Sequence, residues 1–268
     1  MSSTPPRPAV ARGPISAASP VQPRAIRVVL PAYNEAENLP ALLGALQETM
    51  ADHGFDHEVI VVDDGSRDRT AAVAEEWAAR LPLVLVRHPA NQGLGAALRD
   101  GLAAAVARAG ERDIVVTMDA DDTHVPGLIA RMVDMIDAGH DVVIASRYRP
   151  GARIVGVPLL RRVMSRGASL LMRCVYPIGG VRDYTCGYRA YRAAVLRRAL
   201  DRYGEAFVDQ AGFQCMVDVL LKLSRLDVVC GEVPLLLRYD RKLGLSKMPV
   251  GDTVRRTLWL LVRRRLGG

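Results

Sequence analysis

Apolar residues follow two rhythms along this chain. Short β-branched runs at 26–30, 58–62, 83–86, 113–118 and 141–145 lack the apolar–polar alternation of a half-solvated strand, so they read as strands buried on both faces. Between them, 36–50, 69–80, 94–108 and 125–136 carry apolar residues at three- and four-residue spacing, the mark of helices with one buried side. Strands alternating with helices predict an α/β fold with a mainly parallel sheet flanked by helices and joined by right-handed crossovers. Residues 1–24 are rich in Pro, Ser, Ala and Arg, show neither rhythm, and are expected to form a disordered tail. Residues 25–248 would then be the folded domain and 249–268 a basic amphipathic C-terminal helix.

In parallel sheets ligands bind beyond the carboxyl ends of the strands, so the residues that close each run matter most. Pro31-Ala32-Tyr33-Asn34-Glu35 close the first run, Asp63-Asp64-Gly65-Ser66 the second, Asp119-Ala120-Asp121 the fourth and Ser146-Arg147-Tyr148 the fifth. Two carboxylates at a strand end offer hard oxygen donors to a divalent cation and, through it, to a diphosphate. Each segment also has a plain structural reading. Asn34 or Glu35 can start a helix, Asp63-Asp64-Gly65-Ser66 can be a turn, Asp122-Thr123 can cap the helix after Pro126, and Asn91-Gln92-Gly93-Leu94-Gly95 can be a connecting loop. The plain readings do not account for so many polar segments at one sheet edge.

Composition narrows the partners. A chain of 268 residues that is 50% hydrophobic can bury a large core. Its net charge of +7 favours anionic partners, yet aromatics are only 5% and no basic stretch is interleaved with stacking residues, which argues against nucleic acid. Cys174, Cys186, Cys215 and Cys230 are widely spaced without a CxxC pair, so neither zinc nor a disulfide framework is expected. There is no GxGxxG or GKS/GKT phosphate motif. No run approaches the roughly 20 apolar residues of a membrane span. A cytoplasmic protein is expected.

The segments VVLPAYNEAENL, VIVVDDGSRDRT, NQGLGAALRDG, VVTMDADDTH and VIASRY, in this order, resemble family 2 glycosyltransferases of GT-A fold. Arg161 with Ser165, the stretch from Asp183 to Arg189, and the stretch from Arg241 to Lys247 resemble dolichyl-phosphate mannose synthases and related polyprenyl-phosphate sugar transferases. The resemblance implies that Pro31, Tyr33, Glu35 and one or both of Asp63 and Asp64 hold the nucleoside, with Gly93 in the same donor site. It implies that Asp119 and Asp121 meet a magnesium or manganese ion and the diphosphate, with Ala120 in the donor site. Arg147, Arg161 and Ser165 would meet the acceptor phosphate, and Arg241, Ser246 and Lys247 would lie on a loop closing over the donor. Many such enzymes read Asp-Ala-Asp-Leu-Gln, whereas here Asp122-Thr123 take the last two places. Thr123 offers the cation a hydroxyl with a shorter reach than a glutamine.

The chemistry expected of these residues is electrostatic. A cation between phosphate oxygens answers the charge that grows on a departing nucleoside diphosphate. A phosphate monoester, with a second pKa near 6, is largely ionised at neutrality and needs positioning more than a base; arginine forks fit that task. Direct attack on the anomeric carbon would invert configuration. Asp183 is read either as a group orienting sugar or acceptor or as a turn residue. The segment from Asp252 to Leu266, with Trp259 and five arginines, is read either as peripheral contact with the cytoplasmic membrane face or as a helix packed on the domain. The leading expectation is an inverting transferase from a nucleotide sugar, GDP-mannose first, to a polyprenyl or dolichyl phosphate. The alternatives are a transferase of the same fold using a soluble acceptor and a non-catalytic nucleotide-binding module.

Overall fold

The β-branched runs and amphipathic stretches pair as their rhythms require, and the computed structural model describes residues 24–157, 159–241 and 243, with the backbone alone for 159–164. The expected tail to residue 23, the C-terminal helix, Ser246 and Lys247 lie outside the described residues. The elements run β1 (Ala25–Ala32), α1 (Leu39–Asp52), β2 (Asp56–Asp63), α2 (Thr70–Trp77), β3 (Leu83–Arg87), α3 (Leu94–Arg108), β4 (Ile114–Thr117), α4 (Leu128–Asp137) and β5 (Val142–Ser146). Then follow β6 (Arg153–Val155), α5 (Leu159–Val175), β7 (Arg189–Arg192), α6 (Ala193–Tyr203), α7 (Cys215–Leu223), β8 (Cys230–Pro234) and β9 (Leu236–Arg238).

The main sheet has the order β3-β2-β1-β4-β7-β5-β8, all parallel except β7, which runs against both β4 and β5. β6 and β9 form a separate parallel pair. The centre of the sheet is buried on both faces, as Ile26, Val28, Val29, Leu30 and Val59–Val62 show. β3 departs from that expectation. It is the edge strand and its residues are only partly buried, because no strand among the described residues pairs with its outer side.

α1 buries Leu39, Leu42, Leu43, Leu46 and Met50, a stripe at helical spacing. α3 packs across β1 and β2, and α4 across β5 and β7. Three helices are shorter than their apolar periodicity suggests. α1 begins at Leu39 rather than 36 and α4 at Leu128 rather than 125, since the residues before them are held in turns, and α2 ends at Trp77 ahead of the turn into Pro82.

β7 matters most for function. Because it runs against its neighbours, its entering segment arrives at the same edge where the parallel strands end. Residues 183–188 are thereby delivered to the loops after β4 and β5.

Candidate active site

The first polar group joins the ends of β1 and β2. Asn34 adopts φ 51°, accepts the Arg67 amide on its side-chain oxygen at 2.8 Å, and donates its own amide to Ser66 Oγ at 2.9 Å. The Glu35 amide donates to Thr70 Oγ1 at 2.8 Å, and its buried carboxylate accepts Asn38 Nδ2 at 2.7 Å. Pro31 lies inside β1 and half-buried Tyr33 just beyond it. These links hold 33–38 as a loop and explain the late start of α1. Asn38 also accepts the Leu243 amide at 3.0 Å, which brings one point of the expected donor-closing loop to this edge.

Asp63 and Asp64 are both buried but have different partners. Asp63 Oδ1 accepts the Ser66 amide at 3.0 Å, with Arg87 Nε 3.8 Å from Oδ2. Asp64 accepts the amides of Gln92 at 2.9 Å and Gly93 at 2.8 Å, and meets His88 Nδ1 at 2.7 Å. Asp64 thus anchors the loop entering α3 and occupies amides that in a phosphate-binding loop would face the ligand. Two residues on, the Gly95 amide donates to Ala211 O at 3.0 Å, and a Cβ at Gly95 would fall 1.8 Å from Gln210 O. Only glycine fits that approach.

The second group follows β4. Asp119 is half-exposed, its amide donates to His124 Nδ1 at 3.2 Å, and His124 Nε2 lies 3.9 Å from its carboxylate. His124 stacks on Tyr188, ring centroids 5.0 Å apart. Asp121 Oδ1 accepts the Thr123 amide at 3.2 Å and the Thr123 hydroxyl at 2.7 Å, while Ala120 is buried between the two acids. The Thr123 hydroxyl therefore donates its hydrogen bond to Asp121 and orients that carboxylate. Arg238 donates its amide to Thr123 O at 2.9 Å, laying the Leu237–Arg241 segment along this turn. Burial pushes the Asp122 carboxyl above its usual range, and the nearby Arg241 guanidinium opposes that shift.

The third group follows β5. Asp183 is fully buried and accepts the Arg147 amide at 3.0 Å, Arg147 Nε at 2.8 Å and Nη2 at 2.7 Å, besides the amides of Thr185 at 3.3 Å and Cys186 at 3.1 Å. Burial alone would raise the Asp183 carboxyl; the Arg147 charge and hydrogen bonds outweigh it and hold the group below the usual range. The same pairing, against the opposing effect of burial, raises Arg147. Arg147 keeps its side chain 22% exposed, and its Nη2 also donates to Thr185 Oγ1 at 2.5 Å. Tyr148 and Ser165 meet through their hydroxyls at 2.7 Å. Arg161 stands four residues before Ser165 in α5, its side chain outside the description. Behind Asp183, buried Glu232 on β8 accepts the amides of Arg182 at 2.6 Å and Asp183 at 2.7 Å. Burial raises its carboxyl.

The segment Asp183–Gly187 connects the second and third groups. Its start grips Arg147, and at its end a Cβ on Gly187 would lie 3.4 Å from Asp119 Oδ1. Between them the Cys186 thiol is pushed up to about 12 by burial and by Asp183, with Asp119 adding to the shift.

Residues 27–200 match the profile of Glycosyl transferase family 2. The chain belongs to that family. It is 36% identical over 234 residues to the polyprenol monophosphomannose synthase of Mycolicibacterium smegmatis, covering 87% of this chain and 83% of that protein. It is 36% identical over 244 residues to the undecaprenyl-phosphate mannosyltransferase of Micrococcus luteus, covering 89% and 95%. Glucosyl-3-phosphoglycerate synthase of Mycobacterium tuberculosis, solved with Mn2+, UDP-glucose and phosphoglyceric acid, superposes with a TM-score of 0.63 at 24% identity, over 91% of this chain and 80% of that one. That likeness supports the GT-A type of sheet.

Asn38, His88, His124 and Glu232 contact the expected site residues of this family 2 glycosyltransferase and were missed by sequence reasoning. His88 could have been found, since it stands just past the third apolar run, where the carboxyl-end rule applies equally. Glu232 also had a signal, a lone charge within the β-type stretch Cys230–Pro234. Asn38 and His124 are recognised only through their partners.

Proposed function

We propose that this glycosyltransferase moves a hexose from a nucleotide sugar to a polyprenyl phosphate with inversion at the anomeric carbon, GDP-mannose being the first donor to test. The names of the two mannosyl-transferring relatives support the acceptor class. The observation that carries the reading is the single segment Asp183–Gly187, which grips Arg147 at one end and abuts Asp119 at the other. An anion-binding guanidinium and the carboxylates of a donor site are thereby held in one frame.

Arg147 receives the acceptor phosphate. Asp183 occupies its Nε edge and fixes the plane of the fork, so little conformational freedom is lost when an anion docks. Beside Arg147 opens a cavity of about 490 Å³ lined by Arg149, Arg166 and Arg173 as well, a positive surrounding for that anion. Tyr148 lines the same cavity and Ser165 is hydrogen-bonded to its hydroxyl, so this pair orients the phosphate. An ionised phosphate oxygen attacks without a general base. Tyr33, Glu35 and Asp63 hold the nucleoside.

Among the described residues no three acidic, His or Cys side chains converge as a cation cage. Two carboxylates with Thr123 bracing one of them fit a hard cation that keeps water or phosphate oxygens in its shell. Asp119 and Asp121 would hold magnesium or manganese, both of which occur in solved structures of the synthase named above. Bound there, the cation supplies Lewis-acid stabilisation of the departing diphosphate. We also propose, from the five arginines and Trp259 in the sequence of residues 249–268, that this segment contacts the cytoplasmic membrane face.

Nucleoside diphosphate release from GDP- and UDP-sugars, with either metal and with or without a polyprenyl phosphate, tests the reading. Release that needs lipid and metal, and is lost in Asp121→Ala, is expected. Turnover independent of lipid points to a soluble acceptor, and no turnover with any donor overturns the proposal.

A further inference from the structure

A buried imidazole links the donor loop to a helix outside it. His88 follows β3 directly, and its amide continues the pairing with β2 by donating to Asp63 O at 2.9 Å. Its side chain is 6% exposed, with Nδ1 2.7 Å from Asp64 Oδ1 and Nε2 3.0 Å from Asp100 Oδ2. Asp100 lies on α3 and is itself paired with Arg99 at 2.8 and 3.2 Å. The bridge therefore runs from β2, through Asp64 and His88, to the middle of α3.

Asp64 needs this support because of its other duties. Its two oxygens each take one amide of the Gln92–Gly93 pair, so the path of that loop is set by the direction of one carboxylate. A carboxylate held only by two amides of a short loop can turn with the loop. Tied to His88, which is packed between strand and helix, it cannot. The neighbouring glycines leave little slack: a Cβ on Gly65 would meet Ala90 C at 2.4 Å, and one on Gly93 would meet Ala211 O at 2.7 Å. Asp64 thus joins loop 63–66 to loop 88–95, which is in turn held against 209–211 at Gly93 and Gly95.

We propose that His88 is a donor-side positioning residue, which orients Asp64 and with it the loop wall beside the nucleoside. This rests on the nucleotide-sugar reading of the site. His88 touches neither reactant, and it acts on donor affinity rather than on acceptor use, since the acceptor group of Arg147 is built on separate segments.

The test is binding of GDP and UDP by calorimetry, plus separate KM values for donor and acceptor, in wild type, His88→Phe, His88→Asn and Asp100→Asn. His88→Phe should weaken nucleotide binding and raise donor KM about tenfold or more, with acceptor KM within about twofold. His88→Asn, whose amide reaches Asp64 in place of Nδ1, should recover most of that loss. Asp100→Asn removes a charge from the more exposed end and should raise donor KM by a smaller factor, which keeps the test open if His88→Phe does not fold. Donor and acceptor KM rising together, or nucleotide binding unchanged in both His88→Phe and Asp100→Asn, would overturn the proposal. Wild type that binds neither nucleotide would instead refute the donor reading beneath it.

Discussion

Replacing Asp183 by asparagine tests the pairing on which the acceptor group depends. Asp183 is fully buried and its two oxygens accept five hydrogen bonds, three from Arg147 and one each from the Thr185 and Cys186 amides. Asparagine keeps one acceptor oxygen and turns an NH2 group toward donors that it cannot satisfy. It also strips the countercharge from a guanidinium whose side chain is only 22% exposed. A hydrogen bond to a charged group contributes about 1.5–3 kcal/mol, and breaking a buried ion pair from one side costs about 3–5 kcal/mol; the losses are not additive, so the larger single figure is the estimate. At about 2–4 °C per kcal/mol for a domain of this size, the melting temperature should fall by ~6–20 °C. Urea unfolding of both proteins at pH 7, with acceptor KM measured below the melting transition, reads both consequences. Acceptor KM should rise more than donor KM, because the fork loses its fixed plane. A stability loss below about 1 kcal/mol with unchanged acceptor KM would refute this reasoning.

Acidity should reproduce that variant in the wild type. The folded pKa of Asp183 is depressed, so its contribution is fully present above the unfolded value near 4 and is lost as the pH falls through the folded value. The stability gap between wild type and Asp183→Asn should close over that range in unfolding series run at successive pH values. Glu232 has the opposite sign: its folded pKa is raised, so its contribution is complete below the unfolded value near 4.5 and is lost as the pH rises, and Glu232→Gln should remove that slope. Gly95→Ala forces a Cβ against the Gln210 carbonyl and should cost several kcal/mol or displace the 209–211 loop, seen as a lowered melting temperature with weakened nucleotide binding.

The strand and helix rhythm between residues 25 and 146 was legible because each element buries a face, and burial imposes its own period on the sequence. The polar segments after those runs were legible for a related reason, since parallel strands send their ends to one edge. The antiparallel entry of Arg189–Arg192 was not legible. It is four residues long, begins with a buried arginine whose charge is satisfied by the carbonyls of Tyr184, Cys186 and Met216, and shows no strand-like alternation. That one strand brings Asp183 to Arg147 across 36 positions. Likewise His88 stands 24 residues from Asp64, and Glu232 stands 49 from the Asp183 amide that it receives. The sequence by itself determined the period, the polarity and the order of the elements, which are properties of neighbours along the chain. Which charge meets which was decided by the tertiary structure alone, because a pairing across the sheet depends on strand order and direction, and neither leaves a local trace.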